Sequence, residues 1–494
     1  MTRINTNVES LIARRALNIN NASLSEALKR LSTGLRINSG RDDPAGLIAS
    51  ETLRSSMRAI SQAIDNTTRA DTIIAVAEGG LQEISSLLLD LESLVDGSSS
   101  EAGLTQGEVA ANQTQIDSIL ESINRLATAT AFGDKKLLNG NFDFTTSGVN
   151  ITESTGAATN DLASVQINGA KIPNGSFRTV AVNVVTPSEI GLVSAVGAGT
   201  DGTGALNGTL NGATTIQVRG NLGSEILTFA SGATTANMAT AINAASQLTG
   251  VSATASAAAG GPASLVLQST EFGGDQFVSV SVLNNLTAFT AQAQDTKDFG
   301  VNGTVTVNGA SAIMKGLDAS IRQGSLSLDL TLTASFGTVA GGSTDFEITG
   351  GGARFSISPN VGLAGLETIG IGEVSSATLG DNAVGFLETL RSGLANDLGS
   401  KNFSTAQRIV RKAISEVATL RGRLGSFQKD TLTTTRNSLN VALENVTAAE
   451  SAIRDADFAR ETSRLMRAQI LVSSSTSVLQ LANAQPQNAL ALLG

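Results

Sequence analysis

A chain of 494 residues with a net charge of −10, 51 Gly, only 6 Pro, 3% aromatic residues and no Cys, His, Trp or Tyr is long enough for several domains but poor in reactive side chains. Lacking thiol and imidazole, it offers no disulfide, zinc-thiolate site, Cys nucleophile or imidazole base, which excludes most hydrolase and metalloenzyme designs, and no ordered carboxylate or Ser/Lys constellation replaces them. The acidic balance argues against nucleic acid, which needs a basic face; the N-terminus shows no basic-then-apolar leader, and no run reaches the length of a membrane span.

In chain order, Leu17, Leu24 and Leu31, with Leu28 and Leu35 between them, follow the sevens split into fours and threes of a coiled-coil seam. The polar cluster from Asn38 to Pro44 interrupts it: Pro44 suits the first turn of a new helix, and Asp42 or Asp43 can cap the free N–H groups there. Leu53, Ile60, Thr67, Ile74, Leu81, Leu88 and Val95 then recur every seventh residue and predict a long rod, with Gly79-Gly80 as its weak point. A third helix carries Val109, Ile116, Ile119, Ile123 and Leu126 on one stripe and should fold back on the second. Asn139-Gly140 signals a tight turn between strands and the start of a Gly/Thr/Ala/Val-rich β region.

Within that centre, Leu326, Leu328, Leu330 and Leu332 alternate with polar residues as a half-buried strand does. Residues 214–256 read as a small fold: strand Thr215 to Val218, strand Ile226 to Phe229, a helix carrying Met238, Ile242 and Ala245, and strand Val251 to Ala255. Helical patterning resumes at Ser404, which has capping-box spacing to Gln407. Val410, Val417 and Leu424 are followed by Leu432, Leu439, Val446 and Ile453, then by Phe458, Leu465, Val472 and Leu479, with phase changes near Gly425 and after Ile453 that imply helix breaks or changed packing partners. Rods with such stripes must pair within the chain or between chains; an ordinary intramolecular bundle and a self-assembling one both satisfy the pattern. Residues 1–40 also carry Arg3, Arg14, Arg15, Lys29, Arg30 and Arg36 against Glu9 and Glu26, which fits a solvated face as well as an intersubunit ion-pair network.

The residues are more specific than their periodicity. Leu31-Ser-Thr-Gly-Leu-Arg-Ile-Asn-Ser-Gly-Arg-Asp-Asp-Pro-Ala-Gly-Leu47 and the opening Ile4-Asn-Thr-Asn7 resemble the N-terminal signature of bacterial flagellins. Glu444-Asn445, Ala448 to Asp457, Glu461, Gln469-Ile-Leu471, Ala482-Asn483, Pro486-Gln487 and the closing Leu492-Leu493 resemble the C-terminal one, and residues 214–256 resemble a β-α-β element of flagellins and hook-associated proteins. The resemblance implies a multidomain α+β fold with long antiparallel, coiled-coil-like helices from both termini and a central, mainly-β insertion facing solvent. Its implied domains are an inner helical core of residues 1–40 plus 456–494, a helical spoke of 41–180 plus 385–455, and outer domains over 181–384.

It further implies a non-enzymatic subunit, without cofactor or metal, of the extracellular flagellar filament used in swimming. The partners implied are further copies of itself, other flagellins, hook-associated and cap proteins, an export chaperone and a flagellar type III apparatus, with no nucleic acid and no membrane insertion. A hook–filament junction protein is the alternative. Leu17, Leu24, Leu28, Leu31, Leu35, Leu465, Leu471, Val472 and Leu479 are the expected inner subunit contacts, a within-subunit core being the competing role. Where relatives carry a basic stretch read by an animal innate immune receptor, this chain has Leu89-Asp-Leu-Glu-Ser-Leu94; Asp90 and Glu92 reverse the charge, so weak recognition is expected at Leu89, Asp90, Glu92 and Leu94.

Overall fold

Each heptad run named above becomes a helix in the computed structural model. The structure describes residues 6–99, 105–149, 161–173, 176–197, 208–256, 264–284, 289–290, 296–382 and 384–491. Arg3, Ile4 and Asn5 of the opening motif, and Leu492-Leu493 lie outside the described residues. The chain divides into two compact units, one of Met1–Thr72, Phe355–Gly365 and Gly425–Gly494, the other of Ile73–Arg354 and Leu366–Leu424.

In the first unit, α1 (Val8–Thr33) starts with Asn7, whose side chain accepts from the Ser10 N–H, and stops at Gly34, whose φ of 71° is the left-handed value that glycine adopts at a helix C-terminus. The start of α2 (Pro44–Ser98) divides the two candidate caps. Asp43 Oδ1 accepts from the Gly46 N–H at 2.9 Å, while Asp42 Oδ2 accepts from the N–H groups of Asn38 and Ser39 and closes the preceding loop. Ile60 and Ala63 of α2 pack with Leu439, and Ala70 packs with Ile357 and Leu432. The Thr67 hydroxyl, buried in the seam, donates to the Ala63 carbonyl at 2.7 Å, which satisfies a polar group at a core position.

The second unit holds α2 from Ile73 on, with Ile74, Leu81, Leu88 and Val95 all fully buried. A helix lacking Cβ at Gly79-Gly80 is weaker, yet α2 runs through the pair. A Cβ on Gly80 would lie 2.6 Å from Thr130 Oγ1 and 3.1 Å from Leu138 Cδ1, so the glycine admits a close neighbour rather than breaking the rod. Helix α3 (Gln106–Ala129) opens with a reciprocal Thr105/Glu108 capping box and buries Ile116, Ile119 and Ile123, with Leu120 added to the expected stripe. The first hairpin turns at Gly133-Asp134, between Ala131–Phe132 and Lys135–Lys136, and Asn139-Gly140 is a bend that joins no paired strands. The turn-forming Asn-Gly pair thus lost to Gly133, whose φ is 61°.

Helix α5 (Phe403–Ser426) begins one residue before Ser404, and Gln407 donates to Asp96 Oδ1 at 2.7 Å in place of closing a capping box. Ion pairs from Glu92 to Arg411 and from Glu78 to Arg421 run antiparallel between α2 and α5. After α5 the chain winds as a π-helix over Phe427–Thr433 before α6 (Thr434–Arg454). This accounts for the phase change near Gly425: Leu424 and Leu432 are both buried although eight residues apart, because wider π turns absorb the extra residue. The second phase change is the break between α6 and α7 (Phe458–Ala491).

The β centre comprises two sandwiches. Sheet A has strand order Ala310–Ser311, Thr304–Val307, Arg178–Thr186, Ser343–Gly351, Phe144–Ser147, and sheet B has Ile313–Lys315, Asp318–Gln323, Leu326–Leu332, Leu162–Ala170. They share one core, to which Leu326, Leu328, Leu330 and Leu332 contribute as their alternation requires. The sequence boundary drawn at 180 falls inside Arg178–Thr186, a strand of this sandwich.

Sheet C (Phe289–Thr290, Leu192–Gly197, Ser264–Ser269, Val251–Ser256) and sheet D (Thr296–Phe299, Phe277–Val282, Thr214–Arg219, Ser224–Phe229) enclose a second core with α4 (Thr235–Ala244). The strands, the helix and its Met238 and Ile242 expected within 214–256 are in place, but the helix ends at Ala244 and Ala245 is its C-cap.

Helix α2 also contains an 18-residue window of mean hydropathy 1.3, enough by length and composition for a membrane span, contrary to the sequence expectation. Its buried positions nevertheless keep to one heptad seam with Asp65, Arg69 and Glu83 exposed between them, the pattern of a helix packed against other helices.

Candidate assembly surface on the terminal helices

Helices α1 and α7 run antiparallel, and polar contacts fix their register. Asn7 Nδ2 donates to the Ala482 carbonyl at 2.8 Å, Asn20 Nδ2 to Ser475 Oγ at 2.6 Å, and Arg30 Nη1 lies 3.5 Å from Glu461 Oε1. Beyond the helix ends, Leu35 bridges Asp455, the Arg36 N–H donates to the Arg454 carbonyl at 2.7 Å, and the Ala456 N–H donates to the Gly34 carbonyl at 2.9 Å. The breaks in the two terminal heptad runs therefore coincide and are tied together. A polar pair inside a seam disfavours slipped registers at some expense of stability.

The seam itself is thin. Among the described residues of α1 and α7 the buried apolar side chains are Ala13, Ala27, Ala468 and Ala482. Of the nine expected contact residues, Leu17, Leu24, Leu31, Leu35, Leu465, Val472 and Leu479 are half-buried, and all but Leu35 lie on the facing stripes of α1 and α7. Leu28 and Leu471 are exposed, at 48% and 44%.

Sequence reasoning missed a second apolar set that is largely exposed: Val8, Leu11, Ile12 and Ile19 on α1, and Met466, Ile470 and Leu481 on α7. Ile470 keeps 69% and Leu481 65% of their surface. The available signal was apolar residues off the heptad stripe, which a two-helix pair does not require.

Beside the seam lies a groove of ≈ 290 Å³ lined in part by Asn20, Glu26, Arg30, Glu461, Arg464 and Arg467. Glu461 is buried there, with Arg464 Nη1 at 2.8 Å, and the Nε of Arg30 is buried without a hydrogen-bond partner. Arg14 and Arg15 are exposed and make no ion pair among the described residues. Asp42, held by the Asn38 and Ser39 amides, has its carboxyl below the usual carboxylate range. Among the described residues no group of three His, Cys, Asp or Glu is disposed to hold a metal ion.

At the Leu89–Leu94 segment, Leu89 is 54% exposed, Asp90 is exposed, Leu94 is half-buried, and Glu92 accepts from Arg411 Nε at 2.8 Å. That bond raises the Arg411 pKa above its ordinary value.

Residues 4–143 match the bacterial flagellin N-terminal helical region, residues 408–493 the bacterial flagellin C-terminal helical region, and residues 215–271 the flagellin hook IN motif. Flagellin B of Vibrio cholerae is 27% identical over 491 residues, covering 99% of each chain. The B-type flagellin of Pseudomonas aeruginosa is 27% identical and likewise covers 99% of each chain. Among solved structures, the flagellar junction protein FlgL from Legionella pneumophila aligns over 82% of this chain and 99% of its own at 12% identity, with a TM-score of 0.28.

Proposed function

The chain belongs to the bacterial flagellin family, and from that premise we propose that the apolar faces of α1 and α7 turned away from their mutual seam are the surface by which copies join. The protein is a structural subunit of the extracellular flagellar filament that serves swimming motility, with relatives matched from end to end. The observation that carries the assembly reading is the alanine core of the α1/α7 pair. Two helices of 26 and 34 residues that, among the described residues, bury four alanines and leave every leucine whose burial is described at least partly exposed hold little hydrophobic stabilisation of their own.

Neighbouring copies supply the missing cover, so ordering of the termini is coupled to polymerisation. Such contacts join unlike patches and propagate as an open helix instead of closing. In this reading residues 1–40 plus 456–494 form the inner core, 41–180 plus 385–455 the spoke, and the sandwiches face solvent. Export through a type III apparatus with a chaperone, and meeting hook-associated and cap proteins at the filament ends, belong to the same proposal.

The acidic Asp90/Glu92 segment supports weak engagement of an innate immune receptor that needs basic groups there, because Glu92 is already committed to Arg411. The experiment for the assembly reading is deletion of residues 1–40. The truncated chain is expected to stay soluble and monomeric under conditions in which the full chain forms long tubes in electron micrographs; tubes from the deletion would overturn it.

A further inference from the structure

The outer faces of sheets A and D carry opposite charge. On sheet D the outward positions of the two inner strands are Thr215, Gln217 and Arg219 on one and Phe277, Ser279 and Ser281 on the other, since their neighbours Ile216, Val218, Val278 and Val280 point into the core. The register pairs Ser279 with both Lys297 and Arg219, so the two cations sit in one row across the sheet, one strand to either side of Ser279. The Lys297 ammonium lies 4.0 Å and 4.2 Å from the ring centroids of Phe277 and Phe299, and Phe299 is 53% exposed. Neither Arg219 nor Lys297 has an ion-pair partner among the described residues, and no outward position of the sheet holds a carboxylate.

On sheet A, Thr344, Phe346 and Ile348 point inward, which turns Asp345, exposed, and Glu347, half-buried, outward. Ala181, Asn183 and the 53%-exposed Val185 share that face on the adjoining strand. The outward positions of the sheet hold no Lys or Arg, and Asp345 and Glu347 make no ion pair among the described residues.

We propose that the basic, phenylalanine-bearing outer face of sheet D docks against the acidic outer face of sheet A in a neighbouring copy of this chain. The assignment rests on the filament reading, which places many copies side by side, and deepens it by naming a contact outside the terminal helices. In a chain of net charge −10, a two-cation face free of carboxylates is complementary to the acidic, cation-free face of sheet A. The cations are spaced across their strands by about 10 Å, and the carboxylates along one strand by about 7 Å, so both pairs are met when the sheets cross at a steep angle. The contact is heterologous, D face to A face, and therefore repeats along a polymer without closing.

Because the chain contains no Cys, introduced thiols are the only ones present. Ser279→Cys places a thiol between the cations, and Ala181→Cys places one on the strand position paired with Asp345. A one-to-one mixture of these two full-length variants is polymerised and treated with a bis-maleimide spanning about 10 Å, the spacing of packed sheets.

A cross-linked dimer band is expected from the mixed filaments and not from either variant alone. Arg219→Glu with Lys297→Glu in the Ser279→Cys chain should cut its yield about tenfold, and Asp345→Lys with Glu347→Lys in the other chain should restore it. Normal filaments without a mixture-specific band, or a band indifferent to charge reversal, overturn the contact and leave the filament reading intact. Failure of both variants and of the unmodified chain to form filaments refutes the filament reading, and this contact with it.

Discussion

Ile470 separates assembly from folding. It projects from α7 with 69% of its surface in water and contributes to none of the buried clusters. Complete burial of an isoleucine side chain is worth about 1.5–3 kcal/mol, so covering the exposed two-thirds in a filament contributes roughly 1–2 kcal/mol. Ile470→Ala retains the β-carbon and removes about 1 kcal/mol of that per subunit, which raises the critical concentration for polymerisation about fivefold.

Leu481→Ala, at a site 65% exposed, should act alike, and the pair should add because the residues are three helical turns apart. Critical concentration is read from the subunit left in the supernatant after sedimenting filaments, and monomer helicity from circular dichroism of the same stock. An unchanged critical concentration in the double variant would refute the placement of the assembly surface on this face, whereas lost monomer helicity would show that the residues support the subunit itself.

Three further outcomes follow from single sites. Gly80→Val should destabilise the subunit by about 1–3 kcal/mol through overpacking, because its Cβ would meet Thr130 at 2.6 Å, and a Gly79→Ala control should be neutral or stabilising in thermal melts. Asp42 has its folded pKa depressed below the ordinary 3.8 by the Asn38 and Ser39 amides, so its stabilisation is present above pH 3.8 and is lost as pH falls through the folded value; Asp42→Asn should therefore melt below the parent at neutral pH and converge with it in acid. Purified monomer should activate an innate immune receptor reporter weakly, Asp90→Arg should raise the signal, and strong activation by the unmodified chain would count against the charge argument.

Periodicity made the helices legible because a buried stripe repeats whatever covers it. The run from Ile60 to Val95 is buried at every seventh residue, and the phase slip near Gly425 was readable too, but not its form: the spacing suggested a break or a new partner, whereas the helix continues through a π segment at Phe427–Thr433. Alternation did the same for Leu326 to Leu332. Local turn chemistry was less decisive: Asn139-Gly140 has the stronger intrinsic preference, but the hairpin closes at Gly133-Asp134, where the end of α3 fixes the strand entry. Nor can a sequence show that Gly80 is a contact site, because the partner atoms on Thr130 and Leu138 lie some fifty residues away.

The assembly surface was the hardest part to read, for a reason built into coiled-coil geometry. A heptad search selects residues that face a partner helix, and in α1 and α7 that partner is supplied by the same chain. Leu17, Leu24, Leu465 and Val472 are thus drawn into the intramolecular seam by the regularity that made them conspicuous. In the proposed assembly, the residues that meet a second copy occupy the remaining faces, where Ile12, Ile19, Met466 and Ile470 look like scattered surface hydrophobics. Their density on a pair whose buried apolar side chains, among the described residues, are four alanines distinguishes them from such scatter. A helix pair that buries so little has no reason to keep large apolar side chains in water unless something else covers them, and in a polymer that cover is the next subunit.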